Sequence, residues 1–154
     1  MDIANQLGMK DETMSAMRQL SLIAIRKTDF NSAFSLAEMA MKIAETIRNP
    51  AALAGAHDQL GNVLFSKNDL RGAEQEYLAA SKYEEQVNHR SDLAFTLAKL
   101  ARVYEGMGAA SQTESALRRA AQLFRELGME SEEAQVAANL NRISMDYPQP
   151  DLNP

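Results

Sequence analysis

The stretch Leu60-Gly61-Asn62-Val63-Leu64, followed by Ala73, Tyr77 and Ala80, decides the fold. Shifted by forty residues in either direction, its pattern returns. Leu60 becomes Leu20, Leu100 and Leu140. Val63 becomes Ile23, Val103 and Ile143, and Ala80 becomes Ala40 and Ala120. A fixed period in this range marks a stacked array, in which each unit leaves apolar surface that its neighbours cover.

The order of small and large residues in this unit resembles the tetratricopeptide repeat. That family places a Leu-Gly pair and then an aromatic on its first helix, and Ala, an aromatic and Ala on its second. Leu60, Gly61, Ala73, Tyr77 and Ala80 sit at that spacing, with Leu64 in the first aromatic's place. The following unit supplies Leu100, Ala101, Tyr104, Leu117 and Ala120, with Thr113 where Ala is usual. The preceding one supplies Leu20, Ser21, Ala33, Ala37 and Ala40. The likeness covers about residues 3 to 146, and the forty-residue unit resembles a variant with lengthened helices. It departs from the family where Met17, His57, Leu97 and Ala137 replace an aromatic. The resemblance implies an all-α chain: a right-handed superhelical solenoid of antiparallel helix pairs, with seven helices and an N-terminal stub.

Helix signals divide the chain accordingly. Residues 1–10 read as a stub, the end of a second helix from a preceding unit, with Gly8 as its C-cap. The first repeat spans 11–49. Its helices cover about 12–27 and 30–48, separated by Thr28-Asp29, with Met14, Met17, Leu20, Ile23 and Ala24 on one packed stripe. Asn49-Pro50 opens the second repeat, 50–90, since proline is tolerated at a first helical position. Asn68-Asp69 divides it. The third repeat, 91–130, starts from Ser91-Asp92 as cap and turns near Gly106 and Gly108. Ser131-Glu132-Glu133 begins a capping helix, 131–146, with acids at the positive end of its dipole. Three prolines within 147–154 exclude a helix there and predict a flexible tail.

Composition narrows the function. Hydrophobic residues make up 45% of the 154 while aromatics make up only 6%, a balance of Ala, Leu and Met that favours helices. The net charge of −5 and the lack of a clustered basic face argue against nucleic acid. With no cysteine, disulfides, thiolate metal sites and cysteine nucleophiles are excluded. No signal peptide or spanning segment is visible, so no membrane role and a cytoplasmic location are expected. His57 falls in an apolar column and reads as packed; His89 falls at a turn and reads as solvated. Met14, Met17, Met39 and Met41 read mostly as core filler. No metal-binding histidine pair, phosphate loop or nucleophile–base pair can be assembled. The expectation is a non-enzyme without cofactor, metal or catalytic residues.

Recognition remains. The resemblance implies a concave groove lined by the first helix of each repeat, where a peptide or extended segment lies. The positions that face away from the packed stripe are Arg18, Leu22 and Ile25 in the first unit. They are Asp58, Asn62 and Phe65 in the second, Phe95, Arg102 and Glu105 in the third, and Arg142 on the last helix. Large apolar groups off the packing columns mark interaction surfaces. Asn62, Arg102 and Arg142 recur at one position, where amides and guanidinium groups can hold a peptide backbone or carboxylate. An acidic segment or one with apolar anchors is the expected partner. Family members that grip the C-terminal carboxylate of heat-shock chaperones carry lysine and asparagine where Arg18 and Leu22 stand, so that activity is not expected. A second reading is a homo-oligomeric scaffold, built by head-to-tail or two-fold stacking of half-repeat ends. A third is a regulatory module of a larger signalling or transcription protein.

Overall fold

The computed structural model describes residues 3–146. Among these are seven helices and no strand: α1 (Ile3–Arg26), α2 (Phe30–Ile47), α3 (Pro50–Ser66), α4 (Leu70–Gln86), α5 (Arg90–Gly106), α6 (Ala110–Glu126) and α7 (Glu130–Asp146). The expected tail, 147–154, lies outside the described residues.

A single turn geometry recurs. Thr28, Arg48, Asn68, Asn88, Gly108 and Gly128 all have positive φ, one every twenty residues. At Thr28 the turn is closed by Asp29 N–H donating to the Ala24 carbonyl at 2.9 Å, and by Thr28 N–H donating to Ile25 at 2.9 Å. The same pair of bonds recurs at Asn68-Asp69, Gly108-Ala109 and Gly128-Met129. This is a left-handed helix stop that satisfies the last carbonyls of one helix and reverses the chain. Glycine and asparagine suit it; threonine and arginine do so only under strain.

Starts are capped where side chains permit. Asp29 accepts from Ser32 N–H at 3.1 Å, Asn49 from Ala51 N–H at 2.8 Å, and Asp69 from Gly72 N–H at 3.0 Å. Three expected boundaries differ. α1 runs unbroken through Gly8, which is no C-cap, so the stub and the first helix are one element. A lone glycine costs a helix interior only about 1 kcal/mol relative to alanine, and does not by itself end one. α5 starts one residue before Ser91, with His89 at the cap position and no side-chain capping bond. α7 starts at Glu130, so Ser131 lies inside it.

The described residues fall into two compact units, divided between Asn88 and His89. In the first, α1 packs on α2, α2 on α3 and α3 on α4, with α1 also touching α3. Its core joins Ala24, Ala33, Ala37 and Val63, with Ile25, Phe34 and Leu60 against them. Ala33, Ala37, Ala40 and Ala44 are wholly buried along α2, so the backbones of its neighbours come close. Two polar bonds cross this packing: the buried Ser21 hydroxyl donates to the Ala33 carbonyl at 3.2 Å, and Gln59 Nε2 donates to the Met17 carbonyl at 3.3 Å. In the second unit α5 packs on α6 and α6 on α7. Leu97, Leu100, Val103, Leu117, Phe124 and Ile143 are among its buried apolar residues.

The expected stripe of α1 is rotated. Ser21 and Ala24 are buried, and Met14 and Met17 half-buried, but Leu20 and Ile23 stand 52% and 46% exposed. One period later Leu60 and Val63 are packed against α2. Among the described residues no helix precedes α1 to cover the same side. Met41 is half-buried, whereas Met39 is 50% exposed and fills no core.

Candidate functional site

In the first unit the expected groove positions carry structural bonds of their own. Tyr77, 2% exposed, donates its hydroxyl to Asn62 Oδ1 at 2.9 Å. Asn62 Nδ2 donates to Asp58 Oδ2 at 3.1 Å. The result is a polar chain running from inside the α3–α4 hairpin to its surface. Ile25 packs against the core, Phe65 is half-buried, and Arg18 and Leu22 are exposed. His57 is also tied in: Nδ1 lies 2.7 Å from Glu76 Oε2, and its ring stacks on Tyr83 at 5.7 Å. It links α3 to α4, as a packed histidine does.

The second unit holds a cleft of about 220 Å³. α5 contributes Phe95, Lys99, Arg102 and Glu105; α6 contributes Thr113 and Leu117; α7 contributes Gln135, Val136 and Asn139. The local fold sets each wall. Phe95 is 41% exposed and held edge-on to the buried Phe124 ring, centroids 5.1 Å apart. Thr113 returns its hydroxyl to the Ala109 carbonyl at 3.0 Å, leaving its methyl group to pack. Arg142 Nη2 donates to Glu105 Oε1 at 2.6 Å, joining α7 to α5 beside the cleft.

Phe95, Arg102 and Glu105 thus share one cleft, and Arg142 borders it through Glu105. Lys99, Gln135 and Asn139 were not expected there. The period contains the missing signal: Gln135 is one repeat on from Phe95, and Asn139 one repeat on from Lys99. Following each groove residue into the next first helix finds both.

The lining has two cations against one carboxylate, in a chain of net charge −5. Its floor is apolar, from Leu117, Val136 and the Phe95 ring. At 220 Å³ the cleft is below the range of about 300–1,000 Å³ typical of pockets that enclose a small molecule. It suits one or two side chains of a longer ligand. Among the described residues no group of three or more His, Asp or Glu side chains is placed to hold a metal, and no helix is long and apolar enough to cross a membrane.

Among the described residues, seven helices without strands, packed in succession within each of the two units and ended by a recurring turn, define a helical-repeat protein. The same fold is seen in the crystal structure of BtubC (BKLC) from P. vanneervenii. That structure is similar with a TM-score of 0.77 and 18% identity, over 97% of this chain and 68% of that one. At that identity the likeness concerns the fold alone. No family model and no curated protein matches the sequence.

Proposed function

We propose that this chain is a non-enzymatic protein-interaction module of tetratricopeptide kind, and that the cleft over α5, α6 and α7 takes an extended peptide segment. The observation that carries the reading is the cleft's makeup. The half-exposed Phe95 and the apolar Leu117 and Val136 share its lining with Lys99 and Arg102 and with the amides of Gln135 and Asn139. Amide side chains can bond a peptide backbone, guanidinium can grip a carboxylate in a fork, and the floor takes an apolar anchor. The preferred segment has an acidic side chain next to a large apolar one.

The test is a peptide array in which acidic and apolar residues are placed at varied spacing, read by direct binding to the whole chain. Peptides with an acid beside an apolar anchor should be retained, and Arg102→Glu should lose them. Retention that is indifferent to the Arg102→Glu change would end this assignment.

A further inference from the structure

The first helix carries an apolar seam outside its own unit's packing. Met9, Thr13, Ala16, Leu20 and Ile23 follow one another at steps of four, three, four and three, and all five are exposed. That spacing keeps side chains on one line of a helix and is the pattern with which two helices interlock side by side. The seam lies roughly 160° around α1 from Arg18 and Leu22, at 3.6 residues per turn. It is separate from any peptide groove.

The equivalent side of a helix in this chain does bind a helix. Leu60 and Val63 are the images of Leu20 and Ile23; Val63 shares a buried cluster with Ala33 and Ala37 of α2, and Leu60 packs against that cluster. On α1 the large apolar residues are kept although no described helix covers them.

We propose that the occupant is a second copy of this chain, its α1 lying antiparallel along this seam about a two-fold axis level with residues 18 and 19. The sequence is self-complementary in that arrangement. Leu20 meets Ala16 of the second copy, and Ile23 meets Thr13, so each layer pairs a large residue with a small one. On one flank Glu12 faces Arg26 of the second copy, twice by symmetry, and both side chains are exposed. Gln19 faces its own image. A parallel pair would instead set Ala16 on Ala16 and Thr13 on Thr13, and would align no opposite charges. The contact is isologous and closes after two copies. Four seam residues a side pair across the axis, since Met9 falls opposite Lys27 beyond the end of α1, so the contact is small and the dimer is weak and concentration-dependent. None of this depends on the peptide cleft.

Sedimentation velocity of the whole chain, from micromolar to near-millimolar concentration, should show monomer passing to dimer. Leu20→Lys should hold it as monomer, with unchanged helical circular dichroism. Glu12→Arg should weaken the dimer by roughly three- to tenfold, the effect of losing two exposed ion pairs, and adding Arg26→Glu should restore it. The chain has no cysteine, so Gln19→Cys offers a single thiol. A short bis-maleimide should link it into dimers and leave Leu22→Cys unlinked. A strict monomer at every concentration overturns the proposal. So does a dimer indifferent to Leu20→Lys, or one in which Gln19→Cys fails to link.

Discussion

A β-carbon on Gly61 would stand 2.7 Å from both Cδ1 and Cε1 of Tyr77. The Tyr77 ring therefore fills the space on α3 that a side chain at position 61 would need. Tyr77 cannot swing away, since it is 2% exposed and its hydroxyl is bonded to Asn62. Gly61→Ala gains helix propensity of about 1 kcal/mol but forces the hairpin apart, at a cost of about 1–3 kcal/mol. The expected outcome is a net loss of stability and a lower urea midpoint. A midpoint equal to or above that of the wild type would contradict the contact.

Tyr77→Phe tests the polar chain on the same ring. The apolar packing stays, and the bond to Asn62 is lost, for a cost of about 0.5–1.5 kcal/mol. Asn62→Ala should cost a similar amount, and the double variant less than the sum, because the two side chains share one bond. Full additivity in urea titrations would show that they act apart.

Turn positions give a change of opposite sign. Thr28 has φ of 59°, where its period images are Asn68 and Gly108. A left-handed conformation costs a non-glycine residue about 1–2 kcal/mol, part of which glycine gives back through its freer unfolded chain. Thr28→Gly should therefore raise the thermal midpoint, whereas Asn49→Ala, which removes the cap of α3, should lower stability by about 1 kcal/mol. Differential scanning calorimetry of the two variants checks both signs.

Glu126 provides a pH dependence. The Gln122 amide donates to its carboxylate at 2.9 Å, and Arg90 donates to the other oxygen. Those bonds, the amide's first, hold its pKa below the usual carboxylate range. Asp29 is lowered in the same direction by the Ser32 hydroxyl and then by the Ser32 backbone N–H. A carboxylate whose pKa is lower folded than unfolded adds stability above its unfolded pKa. It loses that contribution as pH falls through the folded value. Glu126→Gln should be less stable than the wild type at neutral pH, and the gap should close in strong acid. A gap independent of pH would assign the effect to packing.

In the cleft, Phe95→Ala and Arg102→Glu should both weaken a captured peptide, with different salt dependence. The loss from Arg102→Glu should shrink as salt rises, because the screening length falls from about 10 Å at 0.1 M to about 3 Å at 1 M. The loss from Phe95→Ala should persist. Isothermal titration at two salt concentrations separates them.

The forty-residue period was enough to foresee the helices, most of their ends and the alanine columns of α2. It also led to Phe95, Arg102 and Glu105. It did not show that Ile25 packs inward, that Asn62 is engaged by Tyr77, or that Leu20 and Ile23 are exposed. Each of those depends on which neighbour lies alongside, and equivalent positions in a repeat do not have equivalent neighbours. The recurring left-handed turn was plain at Gly108 and Gly128. At Thr28 and Arg48 the residue type hides it, and only the interval reveals it.

What the sequence determined by itself was the rhythm: helix, turn and helix at a twenty-residue step, because apolar spacing, caps and stops are local and every unit repeats them. What only the tertiary structure decided was which faces stay open. Exposure depends on the helices present on either side, and no single unit encodes that. The cleft beside Arg102 and the seam along α1 both exist for that reason.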